Sequence, residues 1–201
     1  MSGARLISAS KTGGVTFSVD ISGFLDAASR LTNLPKEAAL AQRRALGTLF
    51  RRLKTEARRD IQKEYNLKAN AINLRLSVSR ALDGIYLRGS SAGIGLIDFA
   101  ARQNNKGVSY SIKKGQRRLL AHAFIRSPRG QNRRVVWLRG DYVKTSRTSV
   151  YANDNRHGYP IYPQFGPSVA QMLKHGNRPQ RLVDFAARII NSEIDRLLAS
   201  T

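Results

Sequence analysis

Between residues 113 and 147 the chain sets Lys113, Lys114, Arg117, Arg118, Arg126, Arg129, Arg133, Arg134, Arg139, Lys144 and Arg147 against one acid, Asp141. A segment of that density can hold phosphate through charge-assisted hydrogen bonds, and the planar fork of arginine suits phosphate and carboxylate alike. Phosphate contacts of this kind are sequence-independent and salt-sensitive, because each neutralised phosphate releases condensed counterions. Three readings stand open for these loops: DNA, acidic surfaces of neighbouring proteins, or solvent alone. The rest of the chain shares the bias, with 35 Lys and Arg against 13 Asp and Glu and a net charge of +22 over 201 residues. So lopsided a surface repels copies of itself unless anionic material lies nearby, although solubility alone is the plainer account.

Little else in the sequence could do chemistry. His122, His157 and His175 lie far apart, there is no H-E-x-x-H, and the chain has no cysteine, so no metal centre, thiol nucleophile or disulfide is expected. Gly93-Ile94-Gly95 lacks the third glycine and the helix start of a dinucleotide loop, and Asp98 follows too closely to read a ribose. No P-loop is present, and neither Asp98 nor Asp141 has a second carboxylate near it for acid-base work. The expectation is a non-enzyme without cofactor or metal. His122 reads as an ordinary histidine within a strand over 119–125.

The second informative segment is Tyr159-Pro160-Ile161-Tyr162-Pro163-Gln164-Phe165-Gly166-Pro167-Ser168. Pro160 and Pro163 fix φ and push the residues before them into extended conformations, so this stretch reads as an edge strand or a polyproline-like arm. Gly166-Pro167 turns the chain, and Ser168 is placed to cap a helix starting at Val169. Tyr159, Tyr162 and Phe165 alternate with prolines. Such an arm can add to the sheet edge of a neighbouring subunit, or pack on its own sheet.

The elements that must carry these residues follow from hydrophobic periodicity. Residues 1–34 form an N-terminal extension with a strand over 15–21, where Val15, Phe17, Val19 and Ile21 alternate with polar residues, and a short amphipathic helix over 24–34. Pro35 opens a long helix over 35–65 whose Ala38, Ala41, Ala45, Leu49, Leu53, Ala57 and Ile61, with Leu46 and Phe50 beside them, make one apolar stripe. Arg43, Arg44, Arg51, Arg52, Arg58 and Arg59 occupy the opposite, solvated face. Asn66 can cap a shorter helix over 67–74. From 74 to 140 an antiparallel meander with basic loops is expected, with strands over 74–78, 85–88, 95–99, 108–112, 119–125 and 135–139. Residues 127–134 and 144–157 are loop-like, so 141–158 is given as a loop expected to be mobile before assembly. The arm spans 159–167, and helices follow over 168–199, the last with Leu182, Val183, Ala186, Ile189, Ile190, Ile194, Leu197 and Leu198 inward and Glu193 and Asp195 outward. The predicted architecture is a single α+β domain over 1–201, an antiparallel β-sheet packed against a long N-terminal helix and a C-terminal helix.

The arm resembles the P-I-x-x-x-x-G-P-S signature of the prophage minor tail protein Z family, which are tail completion proteins of long-tailed bacteriophages. Further pieces occur upstream in the order that family shows: Leu96-Ile97-Asp98-Phe99-Ala100-Ala101-Arg102-Gln103, then Lys106-Gly107-Val108-Ser109-Tyr110-Ser111-Ile112-Lys113-Lys114-Gly115, then Ala123-Phe124-Ile125, then Val135-Val136-Trp137-Leu138-Arg139. The resemblance covers residues 36–198. It implies a tail-terminator-like fold and a structural virion protein at the head-proximal end of the tail. There a homo-oligomer, a hexameric ring, completes the tail and joins it to the neck. Implied partners are the tail tube, tail terminator and neck or head-completion proteins, with phage DNA in the channel as a further contact.

On that reading Tyr159, Pro160, Ile161, Tyr162, Pro163, Phe165, Gly166, Pro167 and Ser168 form an inter-subunit arm, and the basic set over 113–147 meets DNA or acidic partners. No run approaches the length of a membrane span, and the first residues lack the apolar core of a secretory signal. The expected location is the host cytoplasm during assembly and then the virion tail or neck. The competing expectation is a free, sequence-nonspecific nucleic-acid-binding protein, which explains the charge but not the ordered pieces.

Overall fold

Helix α1 (Pro35–Glu64) is the longest element, and its buried residues show how it is used. Ala45, Leu49, Leu53, Ala57 and Ile61 follow one another at intervals of four and are all buried. A four-residue step overshoots one turn by about 40°, so the apolar stripe winds round the helix as it descends. Leu46 is buried beside this stripe, whereas Phe50, four positions further along the same side, is 40% exposed. The expectation that Phe50 joins the apolar face is corrected accordingly.

The computed structural model describes residues 15–20, 35–81, 84–128, 130–139 and 161–199. The chain divides into two compact units, one made of Met1–Ile61, Ile72–Ser91 and Ser168–Thr201, the other of Gln62–Ala71 and Ala92–Pro167. Both combine helix or turn with antiparallel strands, giving an α+β protein of small sheets and, among the described residues, four α-helices. The short helix predicted over 24–34 lies outside the described residues.

The first unit holds a three-stranded antiparallel sheet of β1 (Val15–Asp20), β2 (Leu76–Ala81) and β3 (Gly84–Gly89) in the order β1-β3-β2. The central strand β3 pairs Gly89 with Val15 on one side and with Leu76 on the other. Ile85, Leu87 and Gly89 alternate inward with Tyr86 and Arg88, as a half-buried strand requires. Leu74, predicted to open β2, instead precedes it and is 76% exposed. Helices α3 (Val169–Lys174) and α4 (Arg178–Leu198) complete this unit. A Cβ on Gly89 would lie 2.9 Å from Leu173 Cδ1 and 3.1 Å from the Ala170 nitrogen. Glycine therefore lets α3 sit directly on the end of β3, where the Ala170 N–H donates to the Ser90 carbonyl at 3.1 Å.

A buried ion pair closes the first unit. Asp60 of α1 is 4% exposed and Arg178, the first residue of α4, is fully buried. Arg178 Nε donates to Asp60 Oδ2 at 2.9 Å, and its Nη1 donates to the Met172 carbonyl. Arg181, one turn along α4 and half exposed, adds Nε to Oδ1 at 3.1 Å and Nη2 to Oδ2 at 2.8 Å. The carboxylate thus sits at the positive end of the α4 dipole with two guanidinium groups upon it. Along α4, Leu182, Ala186 and Ile189 are buried as predicted, and Asp195 is exposed. Glu193 is half-buried rather than outward, with Oε2 3.6 Å from Arg196 Nη2. The side chains of Ile194, Leu197 and Leu198, like those of Ala38 and Ala41 in α1, lie outside the described residues.

In the second unit the expected single meander is divided into separate ladders. Helix α2 (Ala69–Asn73) is shorter than the predicted 67–74. The Asn66 N–H goes to the Ile112 carbonyl at 2.9 Å, so the backbone at Asn66 is engaged in pairing with the 112–114 segment. Strand β4 (Gly93–Gly95) gives way to a 3-10 turn over Leu96–Asp98, which corrects the strand predicted over 95–99: the Phe99 N–H returns to the Leu96 carbonyl at 3.1 Å. Strands β5 (Arg102–Asn104), β6 (Gly107–Tyr110) and β7 (Arg118–Ala121) form one antiparallel sheet, while β8 (Ala123–Arg126), β9 (Val135–Arg139) and β10 (Ile161–Pro163) form another in the order β10-β9-β8.

The strand predicted over 119–125 is two strands in two sheets. His122 breaks it, at φ 59°. A residue in the left-handed region redirects the chain and ends the extended run, and histidine tolerates that region better than a β-branched side chain would. It is exposed, so the reading of His122 as a strand histidine is also corrected. The core of this unit gathers Ile94, Leu96, Phe99, Val108, Ala123, Val136, Trp137 and Leu138.

Candidate basic interface and proline-rich arm

The predicted basic residues are placed differently from one another. Lys113 bridges to Tyr65 in the backbone and pairs through Nζ with Glu64, so it anchors the 112–114 segment. Arg133 is tied to Asp98, with Nη2 3.1 Å from Oδ2. Arg117 Nη2 donates to the Ala100 carbonyl at 3.3 Å and to Ser109 Oγ at 3.0 Å. Lys114, Arg118, Arg126, Arg134 and Arg139 are exposed, and none has an acidic partner among the described residues. Arg129, Lys144 and Arg147 lie outside the described residues.

Register decides which of these share a face. In β8 and β9, Arg126 lies opposite Val135 and Phe124 opposite Trp137, so Arg126, Trp137 and Arg139 fall on one side of the sheet, with the tryptophan between the two cations along it. Trp137 is buried, and its Nε1 donates to the Arg126 carbonyl at 3.0 Å. In the other sheet Arg102, Ser109 and Leu119 form one cross-strand row, and Gln103, Val108 and Leu120 the next. Arg102 and Leu119 are exposed whereas Val108 is buried, so the first row is on the solvent side. Arg117, bonded to Ser109, reaches the same side. Arg102 and exposed Lys106 were missed from sequence because they precede the dense basic run, and the uniformly polar Arg102-Gln103-Asn104 offers no alternation that would have marked β5.

The described part of the arm is paired with its own chain. Ile161, Tyr162 and Pro163 lie opposite Arg139, Leu138 and Trp137. Gln164 continues the seam: its N–H donates to the Val136 carbonyl at 2.9 Å, its carbonyl accepts from the Leu96 N–H at 3.0 Å, and its Nε2 returns to the Tyr162 carbonyl at 3.0 Å. Strand β11 (Phe165–Ser168) then pairs with β4. A Cβ on Gly166 would lie 2.6 Å from Phe99 Cε2, so only glycine fits there. Pro163 presents no N–H on the outer edge of β10, which leaves that edge poor for strand addition. What the arm offers outward is Phe165, 61% exposed. Tyr159 and Pro160 lie outside the described residues.

Ser168 caps α3 as its sequence suggests. Its Oγ accepts from the Gln171 N–H at 3.2 Å, and Gln171 Oε1 accepts from the Ser168 N–H at 2.9 Å, a reciprocal capping box. Ser168→Ala is expected to lower the unfolding free energy by about 1 kcal/mol, measured by urea titration, with Ser168→Asp largely preserving it.

Among the described residues no group of His, Asp and Glu could hold a metal ion, and no helix is long and apolar enough to cross a membrane. The arrangement is suited to binding extended or polyanionic partners through exposed strands and unpaired cations. Comparisons of the chain with protein-family models, with curated proteins and with solved structures find no match.

Proposed function

We propose that this protein is a structural virion component, a minor tail or tail completion protein at the head-proximal end of a long-tailed phage tail. In this reading it forms a homo-oligomeric ring, of tail-terminator-like architecture, that completes the tail, joins it to the neck and holds the end of the DNA. The observation that carries the reading is the arm, in which Pro160-Ile161 and then Gly166-Pro167-Ser168 follow in the family's order after the upstream pieces. The exposed cations support it, since a subunit of charge +22 suits a setting with anionic neighbours. A closed ring of heterologous contacts lets each subunit present Phe165 to the next.

The test is the mass of the purified protein alone and with its neighbouring tail products, followed by tail completion in a phage lacking this protein. A ring and restored tails are expected; a strict monomer that never enters particles would refute the reading. Phe165→Ala should leave stability within about 1 kcal/mol of wild type, because the ring is mostly exposed, yet cut ring yield by about tenfold or more, as loss of an aromatic anchor does. An unchanged ring yield by sedimentation would remove the arm from the interface.

A free nucleic-acid-binding protein is the second reading, favoured by Lys114, Arg118, Arg126, Arg134 and Arg139 standing exposed without acidic partners. Titration of duplex DNA over a range of salt separates the two. A free binder holds DNA as a monomer with a steep salt slope, whereas a ring component binds poorly until assembled.

A further inference from the structure

The outer edge of β7 differs from those of β8 and β10. Strand β7 is mostly exposed and, among the described residues, pairs only with β6, in a register that sets Leu119 opposite Ser109 and Leu120 opposite Val108. The His122 N–H donates to the Lys106 carbonyl, which fixes the phase of the ladder: Leu120 turns its backbone groups to β6, and Leu119 and Ala121 turn theirs away. Among the described residues nothing bonds to those outward groups beyond the sheet. Two other edges, those of β8 and β10, are blunted. Gln103 Oε1 accepts from the Ile125 N–H of β8 at 2.8 Å, and Pro163 stands in β10. β7 instead shows Leu119, 49% exposed, beside exposed Arg118.

We propose that β7 accepts an extended, acidic polypeptide segment from another protein as a fourth strand of the β5-β6-β7 sheet. The outward N–H and C=O groups of Leu119 and Ala121 would supply the ladder, Leu119 an apolar contact on one face of the added strand, and exposed Arg118, beside it in β7 and on the other face, the charge. A phosphate backbone offers no alternating donors and acceptors to such an edge and gains nothing from Leu119. No undescribed stretch long enough for a strand carries a net negative charge. Residues 1–14 carry Arg5 and Lys11 and no acid, 21–34 balance Asp26 with Arg30, and 140–160 set Asp141 and Asp154 against Lys144, Arg147 and Arg156. A second copy brings a further +22. The inference rests on the proposed function only in taking the basic surface as an interface, and it names the class of neighbour met there.

The probe is a short capped peptide of alternating Glu and Val, titrated into the full-length protein, beside the same peptide N-methylated at alternate residues and a duplex DNA oligonucleotide. The unmodified peptide should bind and slow amide exchange at Leu119 and Ala121, and N-methylation should weaken it by about tenfold or more, because it removes the donors a ladder needs. Leu119→Pro, which deletes an outward N–H, should do the same. If that variant fails to fold, the N-methylated peptide alone decides. Absence of peptide binding, equal binding of both peptides, or displacement of the peptide by DNA with no change in amide exchange at Leu119 would overturn the proposal. None of these measurements depends on tail assembly, so failure of the edge and failure of the virion reading are told apart.

Discussion

Asp60→Ala is expected to lower the unfolding free energy by about 3–5 kcal/mol, the loss seen when one member of a buried ion pair is removed. The reason lies in what remains. Arg178 is fully buried and would keep its charge in the protein interior after losing the carboxylate that accepts from its Nε. A buried guanidinium that loses a bonded carboxylate recovers less of the cost of leaving water. Arg181→Ala should cost far less, about 1 kcal/mol or below, because that side chain is half exposed and its attraction to Asp60 is screened. The double variant Asp60→Leu with Arg178→Met should recover much of the loss, since the pair as a whole stands near break-even against packed hydrocarbon. Denaturant titration of the four proteins checks all three statements. If Asp60→Ala and Arg181→Ala cost the same, burial of the pair is not the controlling term.

Gly107→Ala is the second large effect, expected at about 2–4 kcal/mol from backbone strain together with steric conflict. Gly107 has φ 144°, a conformation that side chains rarely adopt, and a Cβ there would lie 2.2 Å from the Leu120 carbonyl oxygen. That oxygen belongs to β7 and cannot swing away as a side chain could, so the β6-β7 ladder must open. Gly115→Ala provides the comparison. It too has positive φ, 76°, but nothing lies within 4 Å of its would-be Cβ, so only the conformational cost of about 1–2 kcal/mol applies. Equal losses for the two variants would show that the contact with Leu120 relaxes. Amide exchange at Val108 and Leu120 should rise in Gly107→Ala and stay unchanged in Gly115→Ala.

The legible parts of the fold are those specified within a few residues. The start of α1 at Pro35, β1, the β2-β3 hairpin, β9 and the Ser168 cap all follow from a period, a turn or a cap that neighbouring residues complete. The basic character of residues 113–139 was equally plain, because charge needs only counting. Where two adjacent segments serve different sheets, as at His122, the apolar pattern runs on without a break and only the backbone angle marks the boundary. The 3-10 turn at Leu96–Asp98 escaped for a similar reason: Leu96, Asp98 and Phe99 suit a strand or a turn equally until Gln164 and Ser111 claim their backbone partners.

The sequence by itself determined the charge, the absence of thiol chemistry, the long amphipathic helix and the order of pieces leading to the arm. Tertiary structure alone decided which cations are committed. Lys113 goes to Glu64, Arg133 to Asp98 and Arg178 to an Asp60 that is 118 positions away, while Arg118 and Arg139 remain outward. It also decided that the described arm lies on its own strands and that the β7 edge is open among the described residues. Periodicity and caps are local and can be read along the chain; the pairing of strand edges and charges joins distant segments, and no local pattern encodes which partner a given backbone or guanidinium group will find.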